Sequence, residues 1–272
     1  MKIYLNCNDN EVTFNKKNYL LRAAERMGLS HIFKESGKDD GAPEEYILNI
    51  EPCDIRMGHK WTGLWHIDVL LNSPLSSQYG GVDTAWVSSD QGIIKHDQVL
   101  FQAMDTEIHK RYSKPNFDFI LCGSMGGVHS KREEASVPLK KKFTYHDFGK
   151  DIKAPEYIKV YSEAKVQWIR TGENDQGKGA VAQRFFECLG IGPVLTNYTP
   201  DLELLGLVDG QDYVSYKGDK DMLEKMGELI KDSDLRDKIA YNGRMKALMY
   251  HTYEHRLVAI LNTVNENIPS ST

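Results

Sequence analysis

The sequence predicts an α/β chain of two units, each built on a mostly parallel sheet. Three observations predict it. Short apolar runs of strand character alternate with segments of helical periodicity, the pattern of βαβ units. The alternation runs twice, and a polar, proline-bearing stretch, "RYSKPNFD", stands between the two blocks. The 272 residues, 40% of them apolar, are enough for two cores.

In the first block "KIYLN" reads as a strand. Asn18 to Met27 reads as a helix that stops at Gly28. "EYILNI", "WHIDVLL" and "DTAWVS" read as further strands. His96 to His109 reads as a helix, because Val99, Leu100, Ala103 and Met104 fall at helical spacing. After the polar stretch the pattern restarts with strand "FDFILCG", the glycine-rich loop "GSMGGVHSKR" and a helix to Lys142. "FTYHDF" is a strand, Ala154 to Ala164 a helix and "KVQWIR" a strand. A helix from Gly179 to Leu189 precedes strand "PVL", and "DYVSY" is the last strand. Helices at Lys220 to Lys231 and Ser233 to Tyr250 follow, and a final one starts near Thr252. It carries Leu257, Ile260, Leu261 and Val264 as an apolar stripe that must be covered.

Composition narrows the function. A formal net charge of −5 excludes a strongly basic protein, although a local basic patch can coexist with a negative total. The four cysteines include no C-x-x-C pair, which argues against a cysteine zinc site and suits a reducing cytosol. "MKIYLNC" reads as a strand rather than a signal peptide, no run approaches the ~20 apolar residues of a membrane span, and nothing repeats at a fixed period.

One stretch carries chemistry: "TGENDQGKGAVAQRFFECLGIGPVLTNYTPDL". Neither G-x-x-x-x-G-K-[ST] nor G-x-G-x-x-G is present. On the helix, Val181, Phe185, Cys188 and Leu189 share one side, and Gln183, Arg184 and Glu187 the other. The helix N-terminus behind "QGKG" offers backbone N–H groups and a partial positive charge, to which Lys178 adds a full one. An ordinary amphipathic helix behind a flexible loop would look the same. The second glycine loop, "CGSMGGVHSKR", also follows a strand and ends in Lys131 and Arg132, so the two loops together can bracket a diphosphate.

The second half resembles the C-terminal domain of GT-B glycosyltransferases, in particular the CgeB-like group of the "glycosyl transferases group 1" clan. Four pieces carry the resemblance over residues 103–262: "AMDTEIHKRYSKPNFDFILCGSM…KRE", resembling the family's Asp-x-x-x-His linker, Asp-x-x-Phe-x-Gly strand and following arginine; "YSEAKVQWI"; "QRFFECLGIGPVLTNYTPDLELL", resembling its Arg-x-Phe-Glu helix; and "MLEKMGELIKDSDLRDKIAYNGRMKALMYHTYEHRLVAIL". It implies two Rossmann-like domains with mostly parallel sheets facing a central cleft: 1–105 on the acceptor side, 106–250 for the nucleotide sugar, and a helix at 251–272 crossing back to the N-terminal domain. It implies a UDP- or GDP-sugar as donor substrate, no required cofactor and no bound metal. Glu187 then matches the acidic residue that hydrogen-bonds the donor ribose, with Arg184 in the same element. Gly123, Ser124 and Arg132 match the loop near the diphosphate. Lys178 and Gly179 clamp the same group, and Thr196 and Asn197 lie near it.

For the N-terminal half, Asp68 on an otherwise apolar strand is the candidate catalytic carboxylate, with His66 on the same face; both residue types also occur there as structural hydrogen-bonding groups. Asn8 and Asp9 sit where a ligand would approach, but plain turn chemistry accounts for them better. Trp61, Trp65 and Trp86 suit a core or a stacking platform. The expected function is a cytoplasmic transferase moving a hexose to a hydroxyl on a glycan or small molecule. The alternatives are a phage-type enzyme acting on a hydroxymethylated base in DNA, a non-catalytic nucleotide-sugar-binding module, and a sugar-phosphate isomerase or epimerase.

Overall fold

The computed structural model describes residues 1–7, 16–37, 46–50, 59–66, 83–87, 98–122, 130–147, 156–170 and 181–267. The chain forms two compact units. One comprises Met1–Gln102 with Thr252–Thr272, the other Ala103–His251.

The first unit is a six-stranded parallel sheet in the order β2-β1-β3-β4-β5-β6. Its strands are β1 (Ile3–Asn6), β2 (Phe33–Glu35), β3 (Tyr46–Ile50), β4 (Trp61–His66), β5 (Thr84–Val87) and β6 (Gln98–Val99). Sheets of this kind are covered on both faces, so successive residues of a strand can both be buried rather than alternating in and out. Ile3, Leu5, Ile47, Leu48, Leu64 and Trp65 are accordingly buried. Helix α1 (Lys16–Arg26) ends before Gly28, whose φ of 71° suits glycine. It lies against α7 (Tyr253–Asn267), where Arg26 Nε meets Glu254 Oε1 at 2.7 Å and the Tyr19 and Tyr253 rings stack at 5.2 Å. Leu257, Ile260 and Val264 of the α7 stripe are fully buried.

The second unit is a five-stranded parallel sheet in the order β11-β10-β9-β7-β8. It contains β7 (Phe117–Leu121), β8 (Tyr145–Asp147), β9 (Ala164–Ile169), β10 (Val194–Asn197) and β11 (Val214–Tyr216). Its helices are α2 (Ser130–Lys142), α3 (Glu156–Ser162), α4 (Gln183–Leu189), α5 (Asp219–Lys231) and α6 (Ser233–Tyr250). Alternation along the strands sends Phe119, Leu121, Val166, Trp168 and Leu195 into one cluster with Leu139 of α2 and Met222, Met226 and Leu229 of α5. Asp232 caps α6 by accepting from Leu235 N at 2.9 Å.

Three sequence expectations are corrected. Residues 98–109 are not helical. Gln98–Val99 pair with Trp86–Val87 as an edge strand, and side chains claim the carbonyls a helix would use: Trp65 Nε1 donates to Leu100 O at 2.8 Å and Arg256 Nε to Phe101 O at 2.6 Å. Helix α4 begins at Gln183, because Ala182 is extended with φ −69° and ψ 152°. The polar stretch 111–118 lies within the second unit, tied down by Arg111 Nε to Ile191 O (3.1 Å) and Tyr112 N to Ser162 Oγ (3.0 Å).

Candidate functional site

In open parallel sheets a ligand sits beyond the carboxyl ends of the strands, where the strand order reverses. In the second unit that point lies between β7 and β9. Cys122 follows β7 there, and Arg170 follows β9. Residues 123–129 and 171–180 continue from these ends, so Gly123, Ser124, Lys178 and Gly179 lie outside the described residues. Those that are described stand on α2, α4 and β10.

Arg132 of α2 clamps the end of β9, donating from Nε (3.1 Å) and Nη2 (2.9 Å) to the Arg170 carbonyl. Burial pulls its pKa down, and the nearby Arg184 cation adds to the effect. Arg184 of α4 donates to the Tyr161 hydroxyl at 2.7 Å. Burial alone would lower its pKa too, but the Tyr161 oxygen and the Glu187 carboxylate outweigh it and hold the guanidinium charged. Tyr161 itself is buried, which pushes the phenol well up and keeps it a neutral hydroxyl. Arg132 and Arg184 thus stand close enough for their like charges to act on one another, and paired cations are the kind of group that attracts an anion.

Glu187 is fully buried, and a buried carboxylate persists only when other groups support it. Gln183, one turn earlier on α4, donates Nε2–H to Glu187 Oε1 at 2.7 Å. His109 Nε2 stands 3.9 Å from the same oxygen and 3.4 Å from the Tyr157 hydroxyl. His109 Nδ1 accepts the Asp105 N–H at 2.7 Å, which places the proton of a neutral ring on Nε2. Asp105 in turn caps its own turn, Oδ1 accepting from Glu107 N (3.0 Å) and Ile108 N (3.1 Å). Sequence reasoning did not single out His109 as a site residue. The signal was the Asp-x-x-x-His spacing, which closes this turn.

Thr196 and Asn197 end β10, both buried, with Thr196 in register with Ile169 of β9. Cys122 and Cys188 stand behind the site as free thiols, their sulfurs 3.7 Å apart. Among the described residues no group of three His, Cys, Asp or Glu is placed to hold a metal ion.

In the first unit the strand order reverses between β1 and β3. Asn6 and Asn49 pair there in register, Asn6 Nδ2 donating to Asn49 Oδ1 at 2.7 Å. Asp68, Asn8 and Asp9 lie outside the described residues; His66 ends β4, and its side chain lies outside them too. Trp61, Trp65 and Trp86 are core. Trp61 and Trp86 meet edge to face at 6.0 Å, and Trp86 Nε1 donates to Gln98 Oε1 at 3.2 Å. No described helix is long and apolar enough to cross a membrane.

Residues 101–262 match the family described as glycosyl transferase-like. No curated protein sequence matches the chain. Among solved structures, a glycosyltransferase from Rickettsia africae superposes with a TM-score of 0.60 at 10% identity, over 99% of both chains. The DNA-modifying enzyme β-glucosyltransferase, whose substrate is uridine diphosphoglucose, does so with 0.56 at 14% identity, over 92% of this chain and 94% of that one. Anabaena HepE in complex with UDP and glucose gives 0.57 at 8% identity, over 97% of this chain and all of the other. At these identities the likeness shows a shared fold, the GT-B architecture of two parallel-sheet units.

Proposed function

Because the chain belongs to the glycosyl transferase-like family, we propose that it moves a hexose from a UDP- or GDP-linked donor to an acceptor hydroxyl. The observation that carries the donor assignment is the pair of neighbouring arginine cations, Arg132 holding the end of β9 and Arg184 next to the buried Glu187 on α4. A nucleoside diphosphate offers matching chemistry: two phosphates for the cations and ribose hydroxyls for the carboxylate.

In this reading Arg132 and Arg184 neutralise the diphosphate, with Lys178, Gly179, Gly123 and Ser124 on the flanking loops. Glu187 accepts from a ribose hydroxyl, and Thr196 and Asn197 border the same strand ends. The anomeric C–O bond breaks and its electron pair leaves with the diphosphate. The acceptor oxygen bonds to the anomeric carbon. The acceptor proton goes to Asp68, with His66 beside it, in an inverting reaction, or to the leaving phosphate in a retaining one. Basic side chains and backbone N–H groups serve where other enzymes use a metal ion.

A glycan or small-molecule hydroxyl is the first acceptor reading. A hydroxymethylated base in DNA is the second, favoured by the likeness to the DNA-modifying β-glucosyltransferase along nearly the whole of both chains. Calorimetry tests the donor assignment. UDP or GDP binds, and Arg184→Gln weakens the nucleotide while leaving the weak binding of the corresponding nucleoside unchanged. An equal loss for both would remove the diphosphate from this site.

A further inference from the structure

We propose that His109 is a positioning residue for the donor ribose: it orients Glu187, and the inference rests on the assignment of Glu187 to that ribose. Both side chains have no solvent exposure, and Nε2 lies 3.9 Å from Glu187 Oε1. At that separation the imidazole acts on the carboxylate through its N–H dipole rather than through a direct hydrogen bond.

The ring is held from two directions. In front, the Asp105 amide occupies the Nδ1 lone pair at 2.7 Å, which fixes the tautomer and leaves Nε2–H directed at Tyr157 and Glu187. Behind, Arg244 Nη1 donates to the His109 carbonyl at 3.0 Å and also to the Gly190 carbonyl. Gly190 ends α4, the helix that carries Glu187. The backbone of His109 is therefore tied to the end of that helix while its ring faces the helix's carboxylate. An apolar side chain would fill the same space. A ring with a proton on Nε2 instead adds a polar group facing Oε1, beside the 2.7 Å bond from Gln183. The carboxylate plane is then set from two sides before ligand arrives, and a preorganised acceptor loses less on binding.

The test compares UDP or GDP, whichever wild type binds, with the 2′,3′-dideoxy form of the same nucleotide. Their ratio of dissociation constants isolates the ribose hydroxyls, and it is measured on one folded population, so a loss of folded protein cancels. Wild type should prefer the ribonucleotide at least about tenfold. His109→Leu should weaken the ribonucleotide about 5–10-fold and leave the dideoxy form unchanged. His109→Gln, which restores an N–H near Nε2, should bring the preference back to within about threefold of wild type. In a Glu187→Gln background His109→Leu should have no further effect, because the pair is coupled. A His109→Leu protein that keeps the full preference, or weakens both nucleotides equally, overturns the inference and leaves the Glu187 assignment intact. A Glu187→Gln protein that keeps the preference overturns both.

Discussion

A Cβ placed on Gly190 would stand 2.2 Å from the backbone oxygen of His109. No real side chain tolerates that approach, so the Asp105–His109 turn packs on the end of α4 only because residue 190 is glycine. Arg244 fastens the contact by donating to both carbonyls. Gly243, beside it on α6, meets the Asp212 carbonyl at the same hypothetical 2.2 Å. The Gly-Arg pair of the last helix-rich segment thus joins α6, α4 and the turn.

Gly190→Ala should therefore destabilise the protein by about 1–3 kcal/mol through overpacking against backbone. A protein of this size loses roughly 2–4 °C of melting temperature per kcal/mol. Differential scanning calorimetry checks it; an unchanged melting temperature would mean that the two backbones do not meet.

Glu187→Gln should weaken nucleotide binding by about 1.5–3 kcal/mol, the worth of a hydrogen bond to a charged acceptor, while leaving the fold intact. Calorimetry with circular dichroism as a folding control decides it. Wild-type affinity in this variant would show that the ribose lies elsewhere.

Much of the architecture was legible because it is written locally. Helix α6 runs from Ser233 to Tyr250, as its periodicity predicts, because Asp232 supplies a cap just before it. Strands β3, β7 and β9 are mostly apolar runs. What failed is non-local. Leu100, Ala103 and Met104 are all buried, as in a helix, yet Trp65 and Arg256, far away in sequence, take the carbonyls of residues 100–102. The three residues of β2, "FKE", are too few to alternate. At the site, Arg132, Arg184 and Glu187 came from the glycine-loop pattern and the family resemblance. The His109–Glu187 relationship joins two elements that no spacing rule connects. The roles of Arg132, Arg184 and Glu187 are proposals, as are those of His66, Asp68, Gly123, Ser124, Lys178, Gly179, Thr196 and Asn197.

Arg256→Leu should cost about 2–4 kcal/mol. Arg256 Nε donates to Phe101 O at 2.6 Å and Nη2 to Gln102 O at 2.9 Å, and burial pulls this guanidinium down to about 10. Leucine leaves those carbonyls without these donors. Urea unfolding measures the loss; a midpoint within error of wild type would rule out the clamp. Truncation after Tyr250 goes further, because it removes α7 and uncovers Tyr19 on α1.

Asp118→Asn probes an ion pair through pH. Burial would raise the Asp118 pKa, but Lys165 at 2.8 Å and the Thr144 hydroxyl and amide outweigh it, so the folded value lies below the ordinary one. A depressed carboxylate contributes stability in full above its unfolded pKa of about 3.9 and loses it as pH falls through the folded value. The variant should be about 0.5 kcal/mol less stable at pH 7, as for a partly exposed pair, and should converge on wild type in strong acid. A difference that persists undiminished at low pH would exclude an ionic origin.

Donor turnover tests the central assignment most directly. Wild-type protein is given a UDP-hexose and a GDP-hexose separately, with and without EDTA, and release of the nucleoside diphosphate is followed. Expected is turnover of one donor, unchanged by EDTA and lost in Arg184→Gln. Binding and turnover of neither donor would contradict the assignment, and activity abolished by EDTA and restored by Mn²⁺ would contradict neutralisation of the leaving diphosphate by Arg132 and Arg184 alone.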